Sequence, residues 1–350
     1  MRVPSAAFCT LALSILLASC HSVETGQTAS VKKFAAAAKE VSDLPYKILY
    51  DYYTIKFKRK QLLPENYVTG DTEKIQLDEL AEDVIARLEA IRKEYDDNLS
   101  TASEIKTVYD LLQTYLTSLE TLAGDDLYKD FQKKTTDMGN KMNNLITKLN
   151  STAVTNINIP VTPGQWLASL ATFHGRNKVK ARQANLLAEY INEADTLVQA
   201  VNIHYQEIEM PIMKSWFSDE KTMIRNQFKR SIAPYLQNAN RHPDSTASIV
   251  AFEFFSKINP AYYELMDGIA NDEALVDKTA SMMDEMARTH QSLKGLFDTH
   301  NRSTAVKQEI QELRQNLSGL KEIFNKGQQE NLSFYDLIQH ENNSKNSTAQ

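Results

Sequence analysis

The chain of 350 residues holds only 2 cysteines, 10 glycines and 9 prolines, and each scarcity removes a class of protein. Two cysteines cannot make a disulfide framework or a four-thiolate zinc site. Few glycines and prolines leave little of the turn chemistry that an all-β fold needs every few residues. Charge of one sign is also missing: 39 basic residues face 45 acidic ones, a net of −6, which gives no overall nucleic-acid footprint. Beyond the first twenty positions no apolar run nears the roughly 18–20 residues of a spanning helix.

Motifs for chemistry are equally sparse. No glycine-rich phosphate loop, paired-glycine dinucleotide turn or nucleophile elbow occurs, and Ser169 and Ser256 sit in ordinary helical contexts. Of the seven histidines, His204 and Glu207 stand one turn apart, but the order is the reverse of a Glu-x-x-His di-metal pair and no second pair matches it. His290 interrupts an apolar stripe, where a core imidazole needs a hydrogen bond rather than a metal. The sequence therefore points to no catalytic residue, no metal ligand set and no cofactor.

What is present is concentrated at the start. Arg2 precedes an apolar stretch, Ala6 to Ala18, broken only by Thr10 and Ser14. Its 13 residues reach about 20 Å as a helix, short of the ~30 Å hydrocarbon core, so it suits a cleavable signal better than a permanent span. Leu17-Ala18-Ser19 then leads directly into Cys20. This junction resembles the lipobox of bacterial lipoproteins. The resemblance implies removal of residues 1–19, diacylation of the Cys20 thiol and acylation of the new amine. One acyl chain holds a protein marginally and two or more hold it firmly. Cys9 leaves with the signal, so the mature chain retains one cysteine, already committed to lipid. His21 and Ser22 follow in place of the aspartate that implies inner-membrane retention, which favours the outer membrane facing the periplasm, with the cell surface as the other address.

About 330 residues remain, enough for one large helical body or two smaller ones. Residues 20–30 read as a flexible tether, 31–150 as an N-terminal helical region, 151–164 as a Thr-, Asn- and Pro-bearing connector, 165–340 as a C-terminal helical region, and 341–350 as a polar tail. Apolar residues recur three and four apart through Leu77–Ile91, Ile105–Leu122, Met138–Leu149, Leu187–Ile208, Val276–Phe297 and Val306–Phe324. The fold class expected is all-α: a multihelical bundle of long antiparallel amphipathic helices with coiled-coil-like segments. Thr101 and Glu104 have capping-box spacing and mark a helix start, and Pro211 and Asn259-Pro260 mark breaks.

Lys56, Lys58, Arg59 and Lys60 form the densest basic cluster, behind the aromatic run Tyr46–Phe57. Such a cluster suits lipid headgroups or an anionic envelope polymer; it also suits the favoured placement of cations at a helix C-terminus. The sequence thus leads to a lipid-anchored envelope protein with a partner-binding or structural role. The alternative is a bundle that holds a small ligand, a metal or haem between helices, and a hydrolase ranks below both.

Overall fold

A computed structural model describes residues 26–61, 77–124, 130–151, 162–170, 176–241, 246–297 and 304–323. Among them there is no strand, and the architecture is an all-α bundle. The helices are α1 (26–42), α2 (Leu44–Gln61), α3 (Leu77–Leu122), α4 (Phe131–Ser151), α5 (Thr162–Ser169), α6 (Arg176–Glu193), α7 (Asp195–His204), α8 (Met210–Arg241), α9 (Thr246–Leu296) and α10 (304–323). A π-helical turn, Tyr205–Glu209, joins α7 to α8.

Two compact units emerge, and each is discontinuous in sequence. The first comprises Met1–Asp43, Ile105–Tyr205 and Ser281–Leu317; the second comprises Leu44–Glu104, Gln206–Ala280 and Ser318–Gln350. Helices α3 and α9 each contribute one part to each unit.

In the first unit α1 buries Val31, Phe34, Ala35, Ala38 and Val41, one face of a helix at three-four spacing. Residues 26–30, the described part of the tether expected over 20–30, are helical, and Ser30 is buried. Helix α4 presents Phe131, Thr135, Gly139, Met142, Ile146 and Leu149. A Cβ at Gly139 would stand 2.8 Å from the Ala168 nitrogen and 2.9 Å from the Gly164 carbonyl oxygen, so glycine is what lets α4 and α5 close on one another.

The second unit is built on aromatics. Tyr52 of α2 stacks on Trp216 of α8 at 5.4 Å and meets Phe217 edge-on at 5.2 Å, while Phe57 stacks on Tyr95 at 4.5 Å. The Arg92 guanidinium lies 5.6 Å from the centre of the Tyr95 ring.

Three expected helix boundaries are absent. Thr101 lies inside α3, where its hydroxyl donates to the Asp97 carbonyl instead of capping a new helix. Pro211 lies within helix because the π turn just before it widens the backbone where the ring would otherwise crowd the carbonyl four residues back. Pro260 sits inside α9, and Ser256, Asn259 and Pro260 are all exposed, so the carbonyl that loses its donor can be hydrated. The segment 152–161, within the expected connector, and residues 324–350 lie outside the described residues.

Candidate functional site

Cys20 lies outside the described residues. The basic cluster lies on α2, and its four members part company there. A helix turns about 100° per residue, so positions four apart stand close to one face. Lys56 and Lys60 do so, and both engage Glu94 of α3, Lys56 at 3.2 Å. Their ammonium groups hold the Glu94 carboxyl below the usual range. Arg59 turns inward with only 8% of its side chain exposed and is bridged in fork fashion to Glu220 of α8, itself 2% exposed. Arg59 Nη1 also donates to Gln227 Oε1 at 3.4 Å.

Lys58 is buried too, which depresses its pKa against the pull of Glu264 and Asp51. Burial pushes the Glu264 carboxyl up to about 7, and pushes buried Asp272 well above the carboxylate range with Asp51 adding to the effect. The solvent-facing basic patch expected from sequence is thus reduced to Lys56 and Lys60; burial and internal carboxylates take the other two.

The histidines also separate. His204 is buried while Glu207 is exposed, so the pair one turn apart does not converge. Among the described residues, no group of three or more His, Cys, Asp or Glu is arranged to hold a metal ion.

His290 organises a polar array inside the first unit. Helix α9 carries the ring into the core with 0% exposure, between Phe34 of α1, 6.0 Å away, and Tyr115 of α3. Its Nε2 is 2.7 Å from the Tyr115 hydroxyl. Its Nδ1 is 3.4 Å from Asp195 Oδ1, at the first turn of α7, and Lys294 Nζ reaches Asp195 Oδ2 at 3.0 Å. Asp195 thus sits at a helix start and Lys294 in the last turn of α9, both where the helix dipole favours their charge.

The neighbouring His290 and Lys294 hold the Asp195 carboxyl below its usual range. Burial pushes the His290 ring down, against the opposing effect of Asp195. The ring is therefore neutral near pH 7. A carboxylate beside Nδ1 favours the Nδ1–H tautomer, which leaves the Nε2 lone pair to accept from the Tyr115 phenol.

Beyond Tyr115 the array continues in rings. Tyr190 of α6, fully buried, lies 5.2 Å from Tyr115 and stacks at 5.2 Å and 18° on Trp166 of α5, which is half-buried. The polar group beside the Tyr190 hydroxyl is the Ser118 hydroxyl. From sequence, His290 was legible as the odd residue in its stripe. Tyr115 and Tyr190 were not, because an aromatic within an apolar stripe reads as core, and Asp195 lies inside the Leu187–Ile208 stripe with nothing in the local pattern to mark it.

A polar groove of about 650 Å³ lies in the same unit, between α9 and α10, lined by Glu285, Arg288, Gln291, Glu309 and Asn316 among others. Asn316 donates to Glu285 at 2.9 Å, and Glu309 Oε2 is buried without a hydrogen-bond partner.

No family model, curated protein or solved structure matches this chain.

Proposed function

We propose that the chain is a lipid-anchored protein of the bacterial cell envelope, held by Cys20 to the outer membrane and facing the periplasm, whose helical body serves a partner-binding or structural role without catalysis. The observation that carries this reading is the Leu17-Ala18-Ser19-Cys20 junction behind a short apolar run. Two acyl chains on one residue bind a bilayer firmly, so the body needs no membrane segment of its own. Among the described residues no helix is long and apolar enough to cross a membrane.

Metabolic labelling with a fatty-acid analogue in a bacterial host tests the reading. The native chain is expected to carry label and to fractionate with outer membrane, and Cys20→Ala to lose both. Labelling that persists in Cys20→Ala overturns the anchor.

The groove between α9 and α10 supports a second reading, a small polar ligand held between helices. Its lining carries three glutamates, Glu285, Glu309 and Glu312, against Arg288, which favours a cationic ligand with several N–H donors. Titration with spermidine, read by thermal melting, is expected to raise the melting temperature in the native chain and not in Glu309→Gln. An unchanged melt in the native chain rejects it.

A further inference from the structure

We propose that Trp166, Tyr190, Tyr115 and His290 form an internal route for one-electron oxidation, which delivers an oxidising equivalent from the half-buried indole to Tyr115 and holds it there as a neutral phenoxyl radical. The inference does not depend on the lipid anchor.

The geometry carries it in two steps. The first is electronic. Trp166 and Tyr190 stack at 5.2 Å, and Tyr190 and Tyr115 lie 5.2 Å apart, so successive π systems are in contact from the half-buried ring to the core. Contact between rings gives strong electronic coupling without a cofactor. On the far side of His290 stands Phe34, whose ring is far harder to oxidise, so the route ends at the Tyr115–His290 pair.

The second step is protonic, and it distinguishes two tyrosines of equal burial. Oxidised phenol is a strong acid and is stabilised only if its proton has somewhere to go. The neighbour of the Tyr190 hydroxyl is Ser118, which donates to the Thr114 carbonyl and is no base, so an electron removed from Tyr190 leaves an unstable cation that draws its electron from the next ring. Tyr115 has His290 Nε2 at 2.7 Å. Loss of an electron from Tyr115 moves the phenolic proton across that hydrogen bond to Nε2, which gives a neutral radical beside an imidazolium. Asp195, at 3.4 Å from Nδ1, supplies the countercharge, and Lys294 keeps Asp195 in place.

The balance is one electron and one proton. An external one-electron oxidant at Trp166 is reduced, Tyr115–O–H is oxidised to Tyr115–O•, and the proton rests on His290. A thiol- or ascorbate-type reductant later returns the electron, and the proton goes back to the phenolate oxygen. Burial of the tyrosine and its base excludes water and other radicals, so the oxidised state survives long enough for that return. The chemical role assigned is a sink for oxidising equivalents that strike the surface near α5.

The test uses the full chain in detergent, oxidised by photogenerated tris(bipyridine)ruthenium(III) and freeze-quenched for electron paramagnetic resonance. A neutral tyrosyl signal is expected, and its formation is expected to slow in deuterium oxide, because the proton moves with the electron. Tyr115→Phe, which keeps the ring, is expected to lose the signal. Trp166→Phe and Tyr190→Phe are expected to lower its yield. In His290→Gln the isotope effect is expected to vanish and the radical to decay faster, outcomes that a purely structural histidine would not produce. An undiminished tyrosyl signal in Tyr115→Phe overturns the assignment. So does formation in the native chain with no solvent isotope effect, a measurement that requires no variant to fold.

Discussion

Removing the Glu220 carboxylate tests how the second unit tolerates charge in its interior. The Arg59–Glu220 pair is almost completely buried, at 8% and 2% exposure, and its attraction has to offset the loss of two hydration shells. In Glu220→Ala the guanidinium keeps only Gln227 Oε1 at 3.4 Å and the Met223 sulfur at 3.6 Å, neither of them charged. Breaking a buried pair from one side costs about 3–5 kcal/mol. With a slope of about 3 kcal/mol per molar urea, suited to a chain of this size, the unfolding midpoint falls by about 1–1.7 M. Glu220→Gln keeps an acceptor for Arg59 and is expected to lose roughly half as much. Replacing both partners, as Arg59→Met with Glu220→Leu, removes desolvation and attraction together and is expected to stand within about 1 kcal/mol of the native chain. Urea unfolding followed by far-ultraviolet circular dichroism measures all three. A single variant with the native midpoint, or a double variant as damaged as the sum of its singles, refutes the reasoning.

Three further outcomes follow from other parts of the fold. Gly139→Ala forces α4 away from the Gly164 and Ala168 backbone and is expected to cost about 1–3 kcal/mol, whereas Gly319→Ala, with nothing within 4 Å of the new methyl, is expected to add about 0.5–1 kcal/mol; thermal melts of the two report opposite signs. His290 is held neutral by burial, so acidification through its ordinary pKa of about 6.5 protonates the unfolded chain before the native one, and stability falls with pH by at most about 1.4 kcal/mol per unit; His290→Gln removes that component. Glu264 works in the opposite direction, since its pKa of about 7 lies above the usual value of 4.5: its contribution is full below 4.5 and lost as pH rises toward 7, and the difference between native and Glu264→Gln unfolding profiles isolates it.

The helical stripes were legible because burial follows the same three-four spacing that the sequence displays: Val306, Ile310, Leu313, Leu317 and Leu320 are all buried along α10. Boundaries inside long helices were not. A capping-box spacing at Thr101, or a proline at 211 or 260, records a local preference, while packing on both sides of the signal decides whether the helix ends. The interleaving of the two units is a property of contacts far apart in sequence, which periodicity does not encode. The inward turn of Arg59 was half legible: spacing alone groups Lys56 with Lys60 and separates the residues between them. That Tyr115, and not Tyr190, faces His290 depends on which helices adjoin, and no local pattern in either stripe carries it.

The interleaving has a consequence for how the chain is made. Neither unit can be completed from an N-terminal fragment: the first awaits Ser281–Leu317 and the second has segments on both sides of it. Native contacts that close only after most of the chain exists are slow to form, since loop closure precedes the contacts that reward it. During synthesis the emerging polypeptide therefore has no finished core to collapse around. For the export proposed above that delay is an advantage, because a chain threaded unfolded through a membrane has to stay extended until its last helices arrive on the other side.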